Sequence, residues 1–280
     1  MRSADARPPR RHRLRGPAIA LAAAAIVGAG CGTPVFAADP ATDLPATYVA
    51  LGDSYSSGLG AGRPDGTACR RSADAYPARV AAERPGTILR TVACAGARIP
   101  DVTGQLVALG PGTGLVTLTV GGNDAGFTSV IARCALPMWV TRCAPPVRRA
   151  QRTIRSVLPA RLDRLYAEIR RRAPAATVVV AGYPRLFNGT DCGPFTFFSR
   201  GDQRLLNATS DLLRTTLRAR ASAAGFLFAD VTPAFGGHAV CDGDEWLNGL
   251  SRPIRESFHP NARGHAEGYA PAILRALEGR

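Results

Sequence analysis

Tyr48-Val49-Ala50-Leu51-Gly52-Asp53-Ser54-Tyr55-Ser56-Ser57-Gly58 begins as a short apolar run and breaks abruptly into small polar residues. An apolar β-type run without alternation fits a strand buried on both faces of a parallel sheet. Ser54 then falls just beyond the carboxyl end of that strand, the edge at which open α/β sheets bind ligands. A serine hydroxyl is a poor nucleophile at neutral pH. A site built on it needs a base, an orienter for the base and donors for a developing oxyanion.

Working outward, further strands are expected at 88–92, 115–120, 177–182 and 226–231. Helical periodicity is expected at 75–83, 101–109, 147–172 and 202–224, and a last helix within 259–277. Ala173-Pro174 stops the Arg-rich helix, and Gly225 suits the C-cap of the next one. Strands alternating with helices indicate a parallel sheet covered on both faces, hence one three-layer α/β domain. Gly58-Leu59-Gly60-Ala61-Gly62 lacks the Gly-Lys-Ser/Thr ending of a phosphate loop.

Residues 1–37 read as an export signal, leaving 38–280 as a single domain. Arg10-Arg11-His12-Arg13-Leu14-Arg15 is a basic n-region, Ala18 to Val27 an apolar h-region, and Val35-Phe36-Ala37 a small-residue cleavage site. The apolar run is shorter than the roughly 20 residues of a spanning helix, which argues against a membrane protein. Arg10-Arg11 followed by Leu14 partly resembles a twin-arginine signal, and Gly28-Ala29-Gly30-Cys31 a lipoprotein box. Because Gly28 stands where Leu or Val is usual, free secretion is favoured over lipid anchoring at Cys31.

Cleavage after Ala37 removes six of 35 basic residues and one of 21 acidic ones, leaving 29 against 20 and a net charge of +9. Every basic residue is arginine. The arginines are scattered and no binding motif accompanies them, so nucleic acid is not an expected partner. A solvated basic surface, or attraction to anionic lipid or cell-wall polyanion, remains. Of seven cysteines, Cys31 leaves with the signal. The remaining six, in a secreted chain, read as three disulfides. Sequence order favours Cys69–Cys94, Cys134–Cys143 and Cys192–Cys241. No Cys/His spacing suits zinc, and no metal site is expected.

The next two strands also end in conspicuous residues: Ala93-Cys94-Ala95-Gly96-Ala97-Arg98 after the second, and Gly121-Gly122-Asn123-Asp124-Ala125-Gly126-Phe127 after the third. Glycine lets a backbone N–H come close to a bound group, and asparagine offers a neutral donor. The N–H groups of Ser54 and Gly96 and the side-chain amide of Asn123 would make a three-donor oxyanion hole. Of the four histidines, His12 lies in the signal, His238 in a loop near Cys241 and His265 within the last helix. His259, in Arg255-Glu256-Ser257-Phe258-His259-Pro260-Asn261 where Pro260 suits a first helical turn, is the candidate base.

Gly52-Asp53-Ser54-Tyr55, Gly96, Gly121-Gly122-Asn123-Asp124 and Glu256-Ser257-Phe258-His259 together resemble the four blocks of the SGNH, or GDSL-type, lipases and esterases, most of all the secreted bacterial branch with three disulfides. The resemblance spans about residues 47–275. It implies a flavodoxin-like α/β/α sandwich with a mostly five-stranded sheet. It also implies Ser54 as nucleophile, His259 as base, Ser54, Gly96 and Asn123 as oxyanion donors, and hydrolysis of carboxylic esters without a cofactor. Two positions depart from the family pattern. Tyr55 stands where Leu is usual, and Glu256 where an Asp usually orients the histidine. Some relatives use a backbone carbonyl for that purpose, so the Glu256 carboxylate and the Ser257 carbonyl are both candidates.

The expected activity is therefore that of a secreted lipase or esterase, phospholipase-like activity included, acting as a monomer on small or lipid esters with transient lipid-surface contact. A polysaccharide O-deacetylase is the enzymatic alternative. A non-catalytic binding protein is disfavoured by the joint presence of Ser54, Asn123 and His259. Leu136-Pro137-Met138-Trp139 and Pro194-Phe195-Thr196-Phe197-Phe198 read as an acyl-chain or lipid-facing wall, or as loop packing.

Overall fold

In the computed structural model, which describes residues 46–136, 139–189 and 198–279, the opening stretch forms the central strand β1 (Thr47–Gly52). Five of its six residues are buried. Strands β2 (Ile88–Thr91), β3 (Thr113–Thr119), β4 (Thr177–Ala181) and β5 (Leu227–Ala229) complete a parallel sheet in the order β2-β1-β3-β4-β5. The register pairs Leu51 with Leu118, Leu118 with Val180, and Val180 with Phe228, which aligns the carboxyl ends of the three middle strands. Apolar β-branched runs take this central place because both faces are covered.

Two groups of helices do the covering. Helices α2 (Tyr76–Ala82) and α8 (Ala270–Glu278) pack together and against β2, β4 and β5. Helices α3 (Ile99–Gln105), α5 (Ala144–Ser156), α6 (Leu158–Arg172) and α7 (Arg200–Ala223) form the other layer, touching β1, β4 and β5. Two short helices border the sheet's carboxyl edge: α1 (Ser54–Ser57), directly after β1, and α4 (Phe127–Cys134), after β3. Among the described residues no helix is long and apolar enough to cross a membrane.

The single helix expected at 147–172 is two. Pro159 in the first turn of α6 has no N–H to donate and would collide with the carbonyl four residues back, so the chain turns at Val157. Pro260 likewise does not open the last helix. It bridges to Leu247, and the helical segment begins after Asn261, whose Oδ1 accepts from Gly264 N at 3.0 Å. Between that cap and α8 the chain makes a π turn (Gly264–Tyr269), where Gly264 and Gly268 lie against the Phe235 ring.

Cys69–Cys94 and Cys134–Cys143 are disulfide-bonded as expected. Cys192 lies outside the described residues, so the third expected pair, Cys192–Cys241, is not described; two disulfides stand among the described residues. The first bridge, with Ala95 N donating to Cys69 O at 3.1 Å, fixes the turn that carries Gly96. The second closes a nine-residue separation at the end of α4.

Gly52 ends β1 at φ +121°, and a Cβ there would lie 2.3 Å from Thr119 O. Its N–H and C=O are both held by the Gln105 amide, at 2.7 and 2.9 Å. Gly52→Ala should therefore destabilise the fold by about 3 kcal/mol or more, read as a lowered midpoint in guanidinium unfolding.

Candidate active site

Ser54 opens α1, with Asp53 as the residue that caps it. The Asp53 carboxylate is 1% exposed and accepts hydrogen bonds from Tyr55 N (3.0 Å), Thr119 Oγ1 (2.7 Å) and the Tyr183 hydroxyl. Burial raises its pKa from 3.8 to about 6, while Tyr183, Thr119 and Tyr55 N pull it back down. The capping bond aims the first turn so that the Ser54 hydroxyl meets the chain arriving from residue 259.

Ser54 Oγ lies 2.8 Å from His259 Nε2, and His259 Nδ1 lies 3.0 Å from the Ser257 carbonyl oxygen. A carbonyl only accepts, so Nδ1 carries the ring proton and Nε2 is left bare to accept from the serine. Burial lowers the His259 pKa from 6.5 to about 4, against a smaller upward pull from the Ser257 carbonyl. Among the described residues no hydrogen bond joins the Glu256 carboxylate to the ring. Tyr55 OH donates to Phe258 O at 2.7 Å, tying the residue after Ser54 to the residue before His259. Phe258 itself sits at φ +63°.

Asn123 Nδ2 donates to Ala97 O at 3.1 Å, and its Oδ1 accepts from Thr128 Oγ1 at 3.3 Å. These contacts fix the amide's orientation and leave its second N–H uncommitted. Gly96 (φ +82°) precedes Ala97, so the turn that carries its N–H is also the one that holds Asn123. Among the described residues neither Ser54 N–H nor Gly96 N–H has an acceptor within the chain. Asp124 joins the two loops from below, accepting from Ile99 N at 3.1 Å with Arg161 at 3.8 Å.

Ser54, Asn123 and His259 open into a cavity of about 420 Å³ whose walls include Phe127, Ile131, Leu186, Leu213, Ile254 and Phe258. Phe198 packs on Phe187 and on Phe258 at its margin. Residues 194–197 and Pro137-Met138, expected as apolar wall, lie outside the described residues. His238 is elsewhere, stacked on Trp246 at 3.8 Å between ring centroids. His265 is wholly buried, accepting from Tyr76 N at 3.2 Å through Nδ1. Among the described residues no group of His, Cys, Asp and Glu side chains could hold a metal ion. Thr119 and Tyr183, which hold Asp53, escaped the sequence reading. Tyr183 follows β4 as Asn123 follows β3, and that placement was the available signal.

Residues 50–267 match the GDSL-like Lipase/Acylhydrolase family. The chain is 43% identical to a lipase of Streptomyces rimosus over 230 residues, 81% of this chain and 85% of that one. It is 42% identical to Lipase 1 of Streptomyces coelicolor, covering 94% and 98% of the two chains. Among solved structures, phospholipase A1 of Streptomyces albidoflavus superposes with a TM-score of 0.77 at 40% identity, covering 83% of this chain and 99% of that one. The chain belongs to the GDSL-like lipase/acylhydrolase family and is a carboxylic ester hydrolase.

Proposed function

We propose that the enzyme is an exported lipid-ester hydrolase, phospholipase activity included, working through an acyl-enzyme on Ser54. The 2.8 Å contact between Ser54 Oγ and His259 Nε2, at the mouth of an apolar cavity, carries the proposal. His259 Nε2 takes the Ser54 proton as Oγ attacks the ester carbonyl carbon. The oxygen of the tetrahedral intermediate is held by Ser54 N–H, Gly96 N–H and the free N–H of Asn123. The C–O bond to the alcohol then breaks, and the departing oxygen takes the proton from Nε2. Water, deprotonated by the same ring, releases the acid and restores Ser54.

The Ser257 carbonyl, rather than Glu256, orients His259 in this mechanism. A neutral orienter also accounts for a base whose pKa is depressed rather than raised, since no carboxylate offsets its burial. A cavity of about 420 Å³ is far larger than an acetyl group requires and is mostly apolar, which favours an acyl chain over an acetylated sugar. Residues 1–37 serve as the export signal, and the disulfides suit an oxidising exterior. A solved relative is an extracellular lipase of Streptomyces rimosus. The enzyme acts as a monomer.

A fluorophosphonate probe should label the native protein and leave Ser54→Ala unlabelled; a native protein that stays unlabelled overturns the mechanism. Glu256→Gln should keep kcat within about threefold of wild type on a soluble ester, whereas a true orienting carboxylate would cost about 10⁴-fold. In an NMR titration the His259 ring should protonate near pH 4 rather than 6.5. The sign follows: a depressed pKa keeps the ring neutral, and so competent as a base, throughout the neutral range. The stability it contributes is complete above pH 6.5 and is lost as pH falls through about 4.

A further inference from the structure

Eight large apolar side chains are exposed among the described residues; two of them, Leu250 and Ile254, line the acyl cavity, and three more, Leu136, Trp139 and Val140, follow its wall residue Ala135 along the chain. Leu250 and Ile254 line it directly on one side. On the other, Ala135 lines it, and the loop that follows is closed at its base by Cys134–Cys143. Trp139 is 83% exposed, Val140 61% and Ile254 71%. Apolar surface gathered at one functional opening marks an interaction site, where scattered side chains would not.

The charge on the α4–α5 side of this rim is one-sided. No acidic residue occurs between Asp124 and Asp163. Within that stretch Arg133, Arg142 and the α5 residues Arg148, Arg149, Arg152 and Arg155 are exposed, and α5 packs against α4, which forms the cavity wall. Across the mouth, Arg252 and Arg255 flank Ile254 and are also exposed. Among the described residues none of these arginines makes an ion pair, whereas Arg63, Arg171, Arg185, Arg218 and Arg263 elsewhere all do. Exposed arginines without an ion pair also occur elsewhere among the described residues, Arg90, Arg164, Arg204 and Arg275 included; what distinguishes the α4–α5 side is that six of them fall in a stretch without an acidic residue.

We propose that this rim docks the enzyme on an anionic lipid surface, with Trp139, Val140, Leu250 and Ile254 entering the headgroup layer and the surrounding arginines meeting lipid phosphates. The proposal rests on the lipid-ester reading of the cavity. Indole suits the boundary between headgroup and acyl chain because one end is apolar and the other polar. Each basic side chain near an anionic leaflet strengthens partition about fivefold. Docked in this way, the mouth faces the acyl layer, and a chain passes into the cavity without crossing water. A cell-wall polyanion would use the arginines but has no use for the apolar rim.

The test uses the Ser54→Ala protein, which binds without hydrolysing, and vesicles of phosphatidylcholine with or without about one-third phosphatidylglycerol. Partition is measured by sedimentation and by tryptophan emission. The chain has two tryptophans and Trp246 is buried, so a blue shift reports Trp139. Vesicles with phosphatidylglycerol should bind at least about tenfold more tightly and shift the emission. Added Arg148→Ala/Arg152→Ala, or Trp139→Ala/Val140→Ala, should each weaken partition about tenfold or more. Equal binding to both vesicles, or variants that bind like their parent, would overturn the proposal. Loss through the arginine pair alone, without an emission shift, would assign the face to a polyanion and equally overturn it. Wild-type turnover of a water-soluble ester keeps the two readings apart: intact turnover without partition sinks the docking face and leaves the active site standing.

Discussion

The buried carboxylate of Asp53 holds the ends of three elements together. Its acceptor oxygens are shared by the first turn of α1, the last residue of β3 and the tyrosine two residues beyond β4. These strands are adjacent in space but separated in sequence by 66 and 130 residues. The side chain therefore converts sheet order into the position of Ser54. Its folded pKa of about 6 lies above the unfolded value of 3.8. A group shifted this way contributes stability below pH 3.8 and loses it as pH rises through 6, so at neutral pH the ionised carboxylate costs roughly 3 kcal/mol. Such a cost is tolerated where geometry matters more than stability, as beside the proposed nucleophile.

The same trade recurs one step further along the site. His259 is buried beside a carbonyl, which orients the ring but cannot neutralise the imidazolium that proton transfer creates. In the proposed mechanism its low pKa makes it a weak thermodynamic base, so more of the barrier is lowered where the negative charge develops. The three proposed oxyanion donors stand in that place, and two of them, Ser54 N–H and Gly96 N–H, have no acceptor among the described residues. Backbone constraint substitutes for charge: Tyr55 OH on Phe258 O, with Phe258 held at positive φ, fixes the approach of His259 from the helix that carries Ser54. Tyr55, which departs from the family's usual Leu, thereby gains a polar role that Leu could not fill.

Residues whose meaning depends on position along the chain were legible in the sequence. Ser54, Gly96 and Asn123 each follow a strand, and a parallel sheet brings all such positions to one edge. His259 stood out because few histidines compete with it. Features that depend on which elements become neighbours were not legible. Nothing local in Thr119 or Tyr183 tells of Asp53. The choice between Glu256 and the Ser257 carbonyl turns on the backbone conformation of residues 257–259, which composition does not encode. The break at Val157 was readable from Pro159, but the apolar periodicity running through it concealed the stop.

The cavity belongs wholly to this second kind, since its walls come from α4, from the segment after β4, from α7 and from residues 250–259. That construction bears on why its rim is so apolar. Helix α4 has only eight residues, too few to be stable by itself, and it holds its place through Val130, Ile131 and the Cys134–Cys143 bridge. A bridge closing so short a loop contributes chiefly by limiting the conformations open to residues 135–142. Within the segment the bridge closes, Trp139 and Val140 are 83% and 61% exposed, so this apolar surface is left to face water.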